Sequence, residues 1–442
     1  MLQHMFKLQD NNTNIKTEIL AGVSTFMTLS YIIFVQPTVL SACGMDFGAV
    51  LVATCIASAL ATFLMGLYAN YPVALAPGMG QNFFFAFTVV LKMGITWQKA
   101  LGAVFLSGTI FLLLSRFGFR EKLIDGIPDS LKEAIAVGIG LFVALIGFQW
   151  AGIVVDAPGT LVGLGDLTSR PVLISLFGLA ATAVLVTLRV RGAILVGILA
   201  TALLGLRFGV VRYHGLIGTV PSITPTAFKL DILGALDLGL VSVIFVFFFL
   251  ALFDSVGTLI GVSNQAGLLV RGKLPRARQA LTADAFGSVS GALLGTSTVT
   301  AYIESAAGVA EGGRTGLANL VTGFLMLCGL FLYPLSRMVG EGLPGMGGAK
   351  LYPVVAPALI VVGSMMLRNV SRIPWNDVTE AIPAFLTMVI MPFTYSITEG
   401  IAFGFISYSL LKLITRRHHE AHWIVYLFGA LFVLRYALLA RG

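Results

Sequence analysis

Apolar runs of about twenty residues follow one another along this 442-residue chain, with only short polar connections between them. Runs of that length need a bilayer as their solvent, and there each backbone N–H and C=O has to be satisfied within the protein. So many runs leave no stretch for a separate soluble domain. Composition agrees: charged residues make up 11% of the sequence, against roughly 25% in soluble domains. The chain reads as an all-α polytopic protein of the lipid bilayer.

The runs cover about 18–41, 48–69, 73–91, 98–117, 129–153, 171–189 and 192–208, then about 238–262, 278–295, 298–310, 315–337, 353–369, 378–395 and 397–415. A further apolar run at 421–440 is left over, with nothing to say whether it crosses or lies at the surface. The expected organisation is a cytoplasmic tail (1–17), seven segments (18–208), a polar connection (209–236), seven more segments (237–415) and a C-terminal apolar segment (416–442). An odd number repeated inserts the second half upside down, the inverted repeat of many transporters. Two weak echoes support the repeat, 65–80 over 294–308 and 127–140 over 352–365, the latter matching Pro128 to Pro353 and Gly138 to Gly363.

With the N-terminus in the cytoplasm, eighteen of the 28 Lys and Arg fall in inside loops and eight in outside loops. Basic residues accumulate on the cytoplasmic side, so the count fixes the orientation in the cell membrane. The net charge of +8 is then a topology signal and points to no nucleic-acid partner. The N-terminus shows no basic-then-apolar signal peptide. Cys43, Cys55 and Cys328 lie within apolar runs and form neither a disulfide framework nor a metal site.

Two segments, 73–91 and 298–310, do not read as ordinary spanning helices. Pro72, Pro77, Gly78 and Gly80 interrupt the first, and β-branched "TSTVTAYI" (296–303) reads as extended in the second before Glu304 and Ser305 open a small-residue helix. Irregular backbone is tolerated at membrane depth only beside protein or a water-filled cavity. Both segments should therefore enter one midplane cavity, each ending in a half-helix aimed at a bound polar ligand.

The run "FFFLALFDSVGTLIGV" (247–262) holds one acid, Asp254. Insertion of an ionised aspartate at a helix centre costs about 2.5–3.5 kcal/mol, so a charge there needs a reason. On a helix it shares a face with Gly257, Thr258 and Gly261, small and polar enough for a cavity wall. Glu304 stands at the junction of the other broken segment, where free backbone amides would favour its charged form. Asp284 sits early in its run and reads as structural, and Glu399, Asp377 and Glu380 as caps at run ends. Phe83, Phe84, Phe85 and Phe87 offer flat faces, although phenylalanines on membrane helices mostly pack.

All five histidines, His4, His214, His418, His419 and His422, fall in tails or loops. A proton carried across would ride on a desolvated carboxylate. No Gly-Lys-Ser/Thr phosphate loop is present, which argues against direct ATP driving, and the hydroxyl-rich patches lack a histidine at depth, which argues against a serine hydrolase and disfavours a membrane-embedded enzyme.

The stretches "FDSVGTLIGV", "TADAFGSVSGALLGTSTVTAYIESAAGVAEGGRTGL", "GSMMLRNVSRIPWNDVTEAIPAF" and "MPFTYSITEGIAFGFISY" closely resemble the AzgA-like adenine/guanine/hypoxanthine permeases, a branch of the nucleobase:cation symporters. The resemblance runs from about residue 17 to 440. It implies a seven-plus-seven inverted repeat divided into core and gate domains, symport of a purine nucleobase with a proton as coupling ion, no other cofactor, and it allows a homodimer. D-S-V-G at 254–257 resembles the E-H-I-G of uracil and xanthine carriers, which implies that Asp254 is the substrate- and proton-linked acid. T-A-Y-I-E at 300–304 implies Glu304 as the second ligand acid, with Tyr302 and Ile303 in the pocket, and Thr258 falls where those relatives carry a histidine. In the first broken segment the related pattern is G-M-G-L-N-A-F-F, whereas this chain has "GMGQNFFF". The expected substrate-binding set is thus Asp254, Glu304, Tyr302, Ile303, Thr258, Gly80, Gln81, Asn82, Phe83 and Thr25, with Asp254 and Glu304 also coupling the proton. An exchanger of anions or other small solutes on the same fold is the alternative; it would want a cation beside these acids.

Overall fold

The computed structural model describes residues 2–117, 126–157, 159–237, 240–270, 274–345 and 350–439. Arg120, Lys122, Arg271 and Lys273, four of the eighteen inside-loop residues counted above, lie outside the described residues. Each apolar run contains a helix, and eight helical stretches among the described residues are long and apolar enough to cross a membrane. Three shorter apolar helices, Ala193–Arg207, Val378–Thr394 and Trp423–Ala437, join them. The first run is not one helix: it breaks at Ser30 and Tyr31, between Ile15–Leu29 and Ile32–Ser41.

By packing the chain divides into two units, Met1–Arg116 with Gly147–Ala358, and Phe117–Ile146 with Leu359–Gly442. Each unit therefore draws on both halves of the chain.

In the first unit the two broken segments meet. Leu75–Pro77 pairs antiparallel with Val299–Ala301, in the register Leu75↔Ala301, Ala76↔Thr300 and Pro77↔Val299. Pro77 is tolerated because a two-stranded ladder has free edges. The ladder extends by one bond at each end, from Gly78 N–H to Thr298 O at 3.0 Å and from Tyr302 N–H to Ala74 O at 2.9 Å. Its outer edges would be stranded in an apolar interior without partners. Side chains supply them: Thr62 bonds both the N–H and the C=O of Leu75, Ser288 donates to Val299 O, Asp284 accepts from Ala301 N–H, and Ser305 accepts from Ala74 N–H. A helix leaves each strand. Met79–Phe83 continues in wider turns over Phe84–Lys92, and Ser305–Ala310 follows the second strand.

Glu18 is the other buried anchor of this unit. It is fully buried and accepts from the backbone N–H groups of Arg314, Thr315 and Ala318, which open the helix Gly316–Cys328. Four N–H groups at a helix start have no partner within the helix, and here a carboxylate from another helix satisfies three backbone donors around that start.

In the second unit the last apolar run packs against its neighbour in sequence. Helix Trp423–Leu439 lies antiparallel along Ile397–Ile414: Ser409 donates to Val425 O at one end, and Arg435 pairs with Glu399 at 2.9 Å at the other. Phe405 packs between Phe428 and Phe432 along the way. Glu380 and Glu399, read above as caps, are ion-paired instead. Glu380 accepts from Ser130 and Tyr408 and pairs with the buried Lys412 at 2.8 Å, and Glu399 holds both Arg435 and Tyr436. Asp377 caps its helix through Thr379 N–H and also pairs with Arg417.

Candidate functional site

The crossing of the two strands delivers the candidate residues to one region of the first unit. Asp254 lies within the helix Val241–Gln265, next to that crossing. Its Oδ2 accepts from Gln81 Nε2, off the first broken segment, and from Thr300 Oγ1, off the second strand, each at 3.3 Å. Its Oδ1 has no partner among the described residues, and the residue is accessible. Asp254 is thus fastened by one oxygen and presents the other.

Glu304 is likewise held by a side chain from another segment. It stands just before the helix Ser305–Ala310, but its side chain does not cap that helix. It turns to the break in the first run, where Tyr31 donates to Oε1 at 2.8 Å, and Oε2 has no side-chain partner among the described residues. Thr28 donates to its backbone carbonyl at 3.2 Å, tying the first helix to the same turn. No basic side chain pairs with either acid among the described residues.

The helix face around Asp254 is open as its small residues require. A Cβ at Gly257 would meet nothing within 4 Å, and one at Gly261 would meet only Ile303 Cδ1, at 3.9 Å. Ile303 is exposed and faces this space, while Thr258, on the same face, is buried. Gly80 is partly exposed at the start of the first half-helix.

The remaining expected residues stand behind the wall. Tyr302 does not share an extended strand with Glu304, because the strand ends at Ala301; it is buried and donates its hydroxyl to Pro77 O at 2.7 Å. Its ring braces the strand crossing. Asn82 is buried, donating to Pro77 O and accepting from Ser297. Phe83 is fully buried and stacks on Phe87 at 5.6 Å, and Phe84 and Phe85 pack on Phe247, so this cluster is core. Thr25 is buried against the Glu304 helix: a Cβ at Gly308 would lie 2.2 Å from its Oγ1. Gly308 thereby lets the short helix approach the first helix closely.

Asp284 is fully buried and ties Ser255 to the strand at Ala301, as its structural reading requires. It holds the Asp254 helix in place against the crossing. Tyr31 orients Glu304, and Gln81 with Thr300 orients Asp254. Tyr31 escaped the sequence reading, since its partner lies 273 positions away; the one local signal is a polar Ser-Tyr pair inside an apolar run.

The sequence profile of Xan_ur_permease, described as Permease family, matches residues 16–403. Adenine permease AdeP of Escherichia coli is 47% identical over 436 residues, 98% of this chain and 96% of the relative. Guanine/hypoxanthine permease PbuG of Bacillus subtilis is 44% identical over 450 residues, 99% of this chain and 100% of the relative. Among solved structures, the transmembrane domain of the cyanobacterium bicarbonate transporter BicA is similar with a TM-score of 0.65 at 14% identity, covering 88% of this chain and 97% of that one. At that identity the likeness concerns the fold alone, a mostly helical polytopic membrane architecture. The chain belongs to the Permease family, as a multi-pass membrane transporter and not an enzyme.

Proposed function

We propose that this permease carries purine nucleobases, namely adenine, guanine or hypoxanthine, across the cell membrane by alternating access, in symport with protons. The observation that carries the reading is the pair of acids from separate segments, Asp254 and Glu304, each held by a side chain of another segment and neither paired with a cation among the described residues. Two carboxylate acceptors without a cation beside them suit a neutral ring with two N–H donors better than an anion. Relatives at 47% and 44% identity named as adenine and guanine/hypoxanthine permeases support the same substrate class. Glu304 accepts from ring N–H groups, and Asp254 exchanges a proton as the base binds and leaves. Ile303, Gly80 and the Gly257–Gly261 face line the space, with Gln81, Asn82, Phe83, Tyr302, Thr258 and Thr25 supporting it.

The architecture that goes with this mechanism is fourteen segments in two inverted sevens, with core and gate parts and a cytoplasmic N-terminus; the resemblance allows a homodimer. The crossing of one strand from each half supports the repeat.

The test is uptake of labelled adenine, guanine and hypoxanthine into energised vesicles containing the full chain, with and without a protonophore. Saturable uptake of at least one base, abolished when the proton gradient is collapsed, is expected. Uptake indifferent to the gradient rejects symport, and no uptake of any purine rejects the substrate class.

A further inference from the structure

Gln81 and Asn82 are neighbours in the first broken segment, both buried, yet they are bonded differently. Asn82 is satisfied at both ends of its amide, by Pro77 O and by the Ser297 hydroxyl. Gln81 is bonded at one end only: Nε2 donates to Asp254 Oδ2, and Oε1 is buried with no partner among the described residues. A buried amide oxygen without a hydrogen bond is destabilising, so a purely structural residue here would be better apolar. Leucine holds this place in the pattern the chain resembles.

The backbone makes room for the glutamine. Gly78 has φ −68° and ψ 131°, which any residue adopts. A Cβ on it would nevertheless lie 2.0 Å from Gln81 Oε1 and 2.8 Å from Thr300 Oγ1. Glycine is there for space, and the space houses both groups that donate to Asp254 Oδ2. Turning the amide over would set its oxygen against the ionised carboxylate, so the present orientation is the one that leaves a donor on Asp254.

We propose that Gln81 is a positioning residue of the purine site: with Thr300 it fixes the Asp254 carboxylate so that Oδ1 is presented to the ligand. The inference rests on the reading of Asp254 as a purine-binding acid. Gln81 touches no ligand atom and acts through Asp254, which makes the arrangement a feature of chains with glutamine at this place.

The experiment uses the full chain in detergent and equilibrium binding of labelled adenine, guanine and hypoxanthine. Gln81→Met is expected to weaken binding by about fivefold, the size of one modest hydrogen bond, and Gly78→Ala, whose Cβ would crowd Thr300 as well as Gln81, by at least as much, with the number of sites unchanged. The double variant is expected to be no weaker than Gly78→Ala alone, because that change already displaces the Gln81 contact, whereas independent losses multiply. In infrared spectra, the carboxyl band identified by its loss in Asp254→Asn should shift in Gln81→Met. Unchanged affinity, multiplying losses or an unmoved Asp254 band overturns the positioning role while leaving purine binding intact. A wild-type chain that binds none of the three bases overturns the purine reading, and this inference falls with it.

Discussion

Tyr31 donates its phenolic hydroxyl to Oε1 of Glu304 at 2.8 Å, joining the break in the first helix to the turn that opens the second half-helix. Hydrogen bonds to charged groups contribute about 1.5–3 kcal/mol. Tyr31→Phe keeps the ring and removes the bond, so Glu304 is freed to other orientations. The expected outcome is an increase in the KM for purine uptake of about tenfold or more, with folding retained. Uptake kinetics in vesicles check it, and an unchanged KM would show that Glu304 is oriented by something else.

Glu18 fixes the start of the helix Gly316–Cys328 through three backbone donors. Glu18→Ala strands those donors in the interior and is expected to destabilise the chain by about 2–3 kcal/mol, whereas Glu18→Gln keeps one acceptor oxygen and costs less. Thermal unfolding of the two variants in detergent measures the order. A Tm for Glu18→Ala equal to wild type would contradict the assignment.

Glu420 links the loop before the last helix to Arg417 and Lys412, and these cations hold its carboxyl at about 2. Arg417, with help from Thr379, likewise holds Asp377 well below the usual carboxylate range. A carboxyl depressed in the folded state stabilises it above the ordinary glutamate value of about 4.3, and that contribution fades as pH falls through the folded value. The difference in Tm between wild type and Glu420→Gln should therefore be flat from pH 7 to about 5 and shrink between about pH 4 and 2. These groups are exposed, so high salt should reduce the whole difference. A difference that grows on acidification would reverse the sign of the argument.

The last helix runs the length of Ile397–Ile414, from Ser409–Val425 to Glu399–Arg435. If its partner crosses the bilayer, so does it. A cysteine placed at His418 and a reporter fused after Leu439 are expected on opposite sides of the membrane, as read by impermeant labelling. The same side for both would mean that this helix lies along the surface.

How far the sequence speaks for itself differs from one feature to the next. The breaks at 72–80 and 296–304 are legible because proline, glycine and runs of β-branched residues act locally, and the strands Leu75–Pro77 and Val299–Ala301 fall within them. Asp254 is legible because a lone carboxylate in an apolar run is costly wherever it goes. Tyr31, Glu18 and the Ser255–Asp284 bond are another matter: their partners stand 273, about 300 and 29 positions away, and no local pattern encodes a contact across folded space. Residue type offers Tyr302 and Phe83 for a pocket, whereas the contacts they make, Tyr302 with Pro77 O and Phe83 with Phe87, follow from packing.

The central claim is that the outward oxygens of Asp254 and Glu304 together hold one purine base. Equilibrium binding of labelled adenine, guanine and hypoxanthine to wild type, Asp254→Asn and Glu304→Gln measures it most directly. Each variant is expected to lose affinity by about tenfold or more for whichever base the wild type binds, since each loses a charged acceptor. Wild-type affinity retained in both variants would contradict the claim.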